Sequence, residues 1–562
     1  MIKIKNIPKA RLRGQGGIPL AGGGLASLFL IACGSANAVE IPTGSEEWQV
    51  RWDNTPRYTL TRRVESQDKA IINAVNNNDG DRNFDRGFVS NRLDLLSEFD
   101  VIYKNRYGMR VSGAGWYDYQ YNQDLDNDSP ATSNYVKNGV PTVGLTRFTD
   151  RYFAGPSGEF LDAFVFGRFD LGEVPLDVKV GSHSIYWGES LGLTAFINGI
   201  AYAQMPLDIG KGQSIPGIEA KELFRPLNNV SFQVQPTDSL SIAGQYFLDW
   251  EQNLFPEGGT YLGSSDVNIG GSEGSLIAGP NRFLKGRDVE PDKNRDWGLS
   301  ARWSPEWLQG TVGVYYRNFS DRIPQLLLKG ATPANGVAGN YHWAYAEDID
   351  LFGLSLSQNY GGMSIGAEVS YRRNMPLVSA AVPISVLPDD GDTAGARGET
   401  LHGVLNMVGV VSSNALFDSA SWSTELAWSH LADVTQGAQF YKGRRGYDLI
   451  DQADRDAFVL TATFTPTWLQ VFPGVDLSMP MVVSSGISGN SPVANGGNED
   501  AGSYSFGVAA DISQKYKADL KYVDFFGDYD KDPRTGAVSV ANGGSALLED
   551  RGMLTLTLKT TF

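Results

Sequence analysis

The sequence predicts an all-β protein, a transmembrane antiparallel β-barrel of about 18 strands with long extracellular loops. Three observations predict it. Apolar residues alternate at period two through most of the chain. The connections are short at every second junction and long and polar at the others. The last strand alternates strictly up to a terminal Phe562. Apolar-out and polar-in at period two marks a strand with lipid on one side and water on the other. Beyond the N-terminal segment no stretch reaches about 18 consecutive apolar residues, the length a helical span needs. A membrane would therefore have to be crossed by strands closed on themselves.

Residues 1–38 carry five basic residues, Lys3, Lys5, Lys9, Arg11 and Arg13, and no acidic one. An apolar stretch from about Leu20 to Ala32 follows, then Ala36-Asn37-Ala38. This is the layout of a secretory signal peptide, which sets the mature start at Val39. Leu30-Ile31-Ala32-Cys33 also resembles a lipobox, in which Cys33 would be acylated; the Ala-x-Ala exit is the preferred reading. Cys33 is the only cysteine. A disulfide framework, a thiolate metal site and a cysteine nucleophile are thereby excluded from the mature chain. Removing the five signal charges takes the formal charge from −17 to −22, which disfavours nucleic acid as a partner.

Residues 48–64 supply a first strand, although Pro56 interrupts it. Leu93 to Tyr103 turns near Asn105 into Met109 to Tyr121, and further hairpins fit 160–187 and 228–250. Trp297 to Trp303 turns through Ser304-Pro305-Glu306 into Val312 to Tyr316. Leu351 to Ser357 turns at Tyr360-Gly361-Gly362 into Ile365 to Tyr371. Hairpins at 401–430, 457–484 and 504–522 follow, and 549–562 closes the set with Leu554, Leu556, Leu558 and Phe562 on one face. The first strand is the weakest of the eighteen, and sixteen strands is the fallback count. A terminal Phe on such a strand resembles the signal read by the barrel-assembly machinery.

The long connections, 65–90, 122–159, 188–227, 251–295, 320–348, 374–400, 431–456, 485–502 and 527–548, are rich in Gly, Asn, Asp and Pro. The mature chain thus reads as one outer-membrane barrel over 39–562 in a Gram-negative cell. Nothing N-terminal to the hairpins is long enough for the globular plug of a TonB-dependent receptor.

The connection 188–227 breaks the polar rule, because it carries Leu191, Leu193, Phe196, Ile197, Ile200, Tyr202, Met205 and Leu207. A loop this apolar should not stand in water. It would tuck into the lumen, pack on the barrel mouth or touch lipopolysaccharide. As a lumenal plug it either stiffens the barrel or lines a path for greasy molecules, and Trp187, Glu189, Phe196 and Lys221 are the residues expected to line that path. Pro216-Gly217 followed by Glu219 to Leu223 reads as a turn into a short helix.

A family resemblance rests on particular residues. Val178-Lys179-Val180-Gly181, Trp187-Gly188-Glu189-Ser190, Pro206-Leu207-Asp208 and Pro216-Gly217, with Glu219, Lys221-Glu222-Leu223 and Pro226, resemble the proteobacterial family catalogued as domain of unknown function 1302. Asp79-Gly80-Asp81-Arg82-Asn83-Phe84 and Ser90-Asn91-Arg92-Leu93 look like its N-terminal signature, and Tyr246, Trp250, Pro256, Gly259, Tyr261 and Asp266 also fit. One departure is Gly181-Ser182-His183 where the family often has Gly-Arg-Gln, so any role of that Arg-Gln pair is in doubt here. The resemblance implies an outer-membrane barrel working beside a periplasmic lipoprotein-carrier-like protein and a resistance-nodulation-division transporter. That company implies traffic of a hydrophobic compound or lipid. A general diffusion porin for small polar solutes and a structural or adhesive barrel without transport are the alternatives.

Acidic loops alternate at Asp79, Asp81 and Asp85, at Asp124, Asp126 and Asp128, at Asp389, Asp390 and Asp392, and at Asp528, Asp530 and Asp532. Solvated surface charge is the plain reading. Ca²⁺ held by Asp79 and Asp81, or by Asp528, Asp530 and Asp532, is the alternative; no other cofactor is expected. His183, His342, His402 and His430 are the only histidines and none is spaced as a zinc pair, so an enzyme is not expected. Arg62-Arg63, Arg372-Arg373 and Arg444-Arg445 would snorkel at strand ends, or else aim one guanidinium each into the lumen.

Overall fold

The structure, a computed structural model, describes residues 39–562 except 192–196, 216, 217 and 219, and leaves aside the side chains of Val39 and Lys221. The signal peptide and Cys33 therefore lie outside the described residues.

The wall begins with β1 (Trp48–Arg63), β2 (Phe88–Tyr103), β3 (Tyr107–Asp118), β4 (Ser157–Leu171), β5 (Val174–His183) and β6 (Leu227–Thr237). It continues through β7 (Leu240–Phe247), β8 (Trp297–Trp303), β9 (Gly310–Phe319), β10 (Ile349–Tyr360), β11 (Met363–Pro376) and β12 (Arg397–Ser412). The last six are β13 (Ser419–Gln436), β14 (Asp456–Phe472), β15 (Val475–Ser478 and Met481–Ser488, one strand broken at Met479-Pro480), β16 (Gly502–Ile512), β17 (Tyr516–Phe526) and β18 (Met553–Thr560). Each pairs antiparallel with its neighbours, and β1 pairs with β18, so 18 strands close the barrel and the fallback of 16 falls away.

Pro56 does not end β1, and the ladder explains why. Asn54 and Phe562 exchange both backbone hydrogen bonds, at 2.6 and 2.9 Å. N–H groups alternate sides along a strand, so the N–H missing at Pro56 points to β18 and removes one bond from the closing seam. Pairing with β18 resumes at Arg57↔Lys559, while the ladder to β2 runs uninterrupted through Pro56↔Leu95.

Short turns such as 104–106, 172–173, 361–362 and 513–515 gather at one end of the barrel with both termini. The long connections gather at the other. On the outer face, Leu93, Leu95, Val314, Leu354, Val369, Leu405 and Leu520 stand exposed. Exposed aromatics ring the turn end (Trp48, Tyr107, Trp303, Trp307, Tyr360, Phe472) and the loop end (Phe88, Tyr117, Tyr246, Trp297, Tyr504). An apolar band between two aromatic girdles suits a hydrocarbon surround.

The loop end departs from the sequence reading. Residues in 251–295, 320–348 and 374–400, expected as irregular polar loops, build a five-stranded sheet from Ser275–Ala278, Asn281–Lys285, Gln325–Ala334, Val337–Ala344 and Val382–Ile384. Its strands are short and pair across distant loops: Asn281–Lys285 runs parallel to Val337–Ala344, and Gln325–Ala334 parallel to Val382–Ile384. Local periodicity carries no trace of such partners.

Candidate functional site in the lumen

After His183 the chain leaves the wall, and the described residues of 184–226 run inside the barrel. Ile197, Ile200, Tyr202, Met205 and Leu207 are buried there. Ile197, Ile200 and Tyr202 form one core with Tyr315 and Phe319 of β9, Ile349 and Leu351 of β10, and Met375 of β11. Ile197, Ile200 and Tyr202 thus meet the inward face of the wall.

Charged wall residues hold the segment in place. Glu368, inward on β11, accepts backbone N–H groups from Glu189, from Ser190 at 2.9 Å and from Ile200 at 2.6 Å. A carboxylate taking several amide donors is a charge-assisted cradle. Gly188 and Gly199 make that approach possible. Gly188 sits at φ +103, and a Cβ there would lie 2.3 Å from Glu368 Oε1; a Cβ at Gly199 would lie 3.4 Å from Oε2. Glu425 on β13 accepts the Leu191 N–H, and Asn406 on β12 donates to the Glu189 carbonyl. Guanidinium groups take the carbonyls: Arg317 donates to Ile200 O and Tyr202 O at 2.8 and 2.7 Å, and Arg372 to Gly199 O at 2.9 Å.

The far end is pinned to the opposite wall. Arg57 on β1 grips the Glu222 carboxylate through two hydrogen bonds of 3.0 Å, both side chains being buried. Between the two anchors, Lys211 pairs with Glu159 of β4 and lies 3.9 Å above the Trp116 ring of β3. Asp208 caps the helix Ile209–Ser214 through the Lys211 N–H and accepts the Tyr152 hydroxyl. Arg57, Glu222, Lys211 and Asp208 each have a partner of opposite sign, as burial requires.

Of the four residues expected to line a path, two come together. Trp187 is half-buried, donates its backbone N–H to Gln204 Oε1 at 2.8 Å, and lies against the Tyr315 ring at 6.2 Å. Gly298 of β8 leaves room for the indole. The Glu189 carboxylate faces Arg302 of β8 at 3.4 Å, and burial raises its pKa above the ordinary range while Arg302 and the Ser355 hydroxyl oppose the rise. Phe196 lies outside the described residues. Lys221 belongs to the helix Ala220–Leu223, on the β1 side with Glu222, away from the Trp187 cluster. On the turn side of Tyr186 and Trp187 lies a cavity of about 550 Å³, walled by Arg106, Arg168, Lys179 and Arg302.

Glu368, Glu425, Arg317 and Arg57 were not singled out from the sequence, and Glu222 entered only through the family resemblance. The available signal was a charge at an inward position of an otherwise apolar alternation, as with Glu368 between Ala367 and Val369. Two of the arginine pairs also depart from the favoured snorkelling reading. Arg63 and Arg372 are buried and inward while Arg62 and Arg373 are not, because period two forces neighbours to opposite faces. Arg444 instead donates to Tyr441 O inside its own loop.

The acidic runs are engaged locally. Asp81 pairs with Arg63 at 2.7 Å, Asp79 accepts from Asn134 N and Ser133 Oγ, and Asp532 accepts from the Arg534 and Thr535 N–H groups. Asp530 lies in the loop hairpin that pairs Tyr529–Lys531 with Val538–Ala541, and Asp528 O accepts the Asn542 N–H beside it. Among the described residues no three His, Cys, Asp or Glu side chains gather as a cation site. His183, in the departure from the family pattern, bonds Ser231 Oγ at 2.7 Å and Gly181 O at 3.0 Å. His430 pairs with Asp456 at 2.7 Å, and among the described residues no hydroxyl completes a triad on it.

Solved structures similar to this chain include Pseudomonas aeruginosa OccD3 (OpdP), at 9% identity and TM-score 0.41, covering 94% of this chain and 93% of that one. Acinetobacter baumannii OccAB4 aligns at 10% identity and TM-score 0.40 over 93% and 100%. The outer membrane protein opdK of Pseudomonas aeruginosa aligns at 9% and 0.39 over 91% and 98%. No curated protein matches the sequence. The family described as "Protein of unknown function (DUF1302)" matches residues 20–562.

Proposed function

The chain belongs to the DUF1302 family, and from that premise and the geometry of its lumen we propose that it moves hydrophobic or amphipathic compounds or lipids across the Gram-negative outer membrane. Segment 184–226 is the gate. The observation that carries this reading is the build of that segment: an apolar body, held at both ends by charged groups of the wall. A stopper with a polar body would suit small polar solutes, whereas this one offers Ile, Tyr and Trp surfaces to whatever displaces it. The apolar belt and its girdles seat the barrel in the bilayer, with short turns toward the periplasm and the loop sheet outside. A periplasmic lipoprotein-carrier-like protein would meet the turn end and connect it to a resistance-nodulation-division transporter. The β18 strand ending at Phe562 is what the barrel-assembly machinery would read.

Single-channel conductance of refolded 39–562, with and without 191–207, tests the reading. We expect a closed parent that opens on deletion, with faster passage of an apolar dye in cells. A parent already open, and indifferent to the deletion, would make the protein an ordinary diffusion porin.

A further inference from the structure

The turn-side cavity beneath Tyr186 and Trp187 has a chemistry that the gate does not use. We propose that it binds the head of an anionic amphiphile, a carboxylate or phosphate carried on an apolar chain. This rests on the reading that the barrel passes amphipathic compounds, and it names the class.

Charge is the first argument. Arg106, Arg168, Lys179 and Arg302 line the cavity, and Asp177 is the single carboxylate among its lining residues, an excess of three positive charges. The whole chain has a formal charge of −17, so this wall runs against its setting. Basic groups along one face of a low-dielectric cleft concentrate anions. Arg168 is committed to Asp177 by bonds of 2.7 and 2.9 Å, and Arg106 pairs with Asp170. Lys179 has no carboxylate partner among the described residues; its Nζ lies 5.6 Å from the Phe164 ring and its side chain is exposed to the lumen. Arg302 is 47% exposed and touches only the edge of the Glu189 carboxylate, at 3.4 Å. Two cations, Lys179 on β5 and Arg302 on β8 with β6 and β7 between them, therefore line the space with capacity to spare.

The apolar surface is the second argument. Phe166, Ile185, Tyr186 and Trp187 line the same cavity. About 550 Å³ suits a head and the first carbons of a chain rather than a whole lipid. The position is the third. An anion on Arg302 would compete with Glu189, whose backbone N–H is held by Glu368, so the ligand would meet the gate at its wall-bound end.

Photo-crosslinking tests the proposal on the full barrel in zwitterionic nanodiscs. Three diazirine probes share one alkyl chain and differ in the head: fatty acid, alkyl phosphate and fatty alcohol. We expect either anion to label 184–187 or Phe166. The alcohol and the variants Lys179→Gln and Lys179→Gln/Arg302→Gln should label about tenfold less, the scale of one charge-assisted contact. Both variants lie at exposed lumenal positions, and heat-modifiability checks that the barrel is formed. Labelling by the acid alone assigns a free carboxylate, and by the phosphate alone a lipid head group; both support the site. Equal labelling by the alcohol, or labelling indifferent to the variants, overturns it while leaving amphiphile passage standing. Absence of label in the cavity with all three probes overturns it too. Failure of the transport reading itself shows separately, in the conductance of the deletion barrel.

Discussion

Glu368 and the two glycines that face it decide where the lumenal segment sits. Three amide donors converge on one carboxylate, and Gly188 brings one of them there from a left-handed conformation. Gly188→Ala adds backbone strain on the order of 1–3 kcal/mol and drives a methyl into Glu368 Oε1. The barrel wall lies on other residues, so the variant should assemble normally, yet show open events that the parent lacks in single-channel records. Glu368→Gln keeps the shape and removes the charge, weakening bonds worth about 1.5–3 kcal/mol when one partner is ionised. It should open less often than Glu368→Ala, which removes the acceptor as well. A Gly188→Ala channel as closed as the parent would mean that the cradle does not hold the gate.

At the scale of elements, the strands were legible and the contacts between distant elements were not. Alternation such as Leu554, Leu556, Leu558 against Thr555, Thr557, Lys559 is local and survives in sequence. Even Pro56 misleads only until its missing N–H is assigned to the closing seam. The loop sheet was invisible because Val382–Ile384 has three residues and its partner Gln325–Ala334 lies in another connection. The gate was half legible: its apolar content announced burial, but nothing adjacent to Glu222 names Arg57 as its partner 165 residues away. That pair makes the element-scale prediction. Removing one partner of a buried pair leaves an unpaired charge and costs about 3–5 kcal/mol, while an apolar replacement of both is far milder. Limited proteolysis of 184–226 should therefore speed up most in Arg57→Met, less in Glu222→Met, where Arg57 keeps Asp94 at 3.6 Å, and return toward the parent rate in the double variant. Additive effects would show that the pair does not couple the helix Ala220–Leu223 to β1.

Taken whole, the molecule stacks two closures, the lumenal segment within the wall and the loop sheet above it. The segment is held by ion pairs and amide cradles at the wall, and the loop assembly contains carboxylates that burial forces toward the neutral form. Glu257, between β7 and β8, accepts N–H bonds from Ile269 and Gly270 at 3.0 and 2.7 Å. Burial pushes its carboxyl up to about 7; the two amides and Lys285 oppose the rise, and Asp288 adds to it. Asp266 and Asp550 are raised to about 6 by the same cause. A carboxyl whose folded pKa exceeds its unfolded value binds more protons when folded, so its contribution is greatest at low pH. That contribution falls by at most roughly 1.4 kcal/mol per pH unit. For Glu257 the loss begins near the ordinary carboxylate value and is complete above about 7. Protection factors in 257–285, with the intrinsic pH dependence of amide exchange divided out, should therefore be higher at pH 5 than at pH 8. Glu257→Gln, which keeps the neutral shape, should remove most of that difference and slow exchange at pH 8. Protection factors that are equal at the two pH values in the parent would mean that Glu257 is ionised in the folded loops and that burial there does not hold its proton.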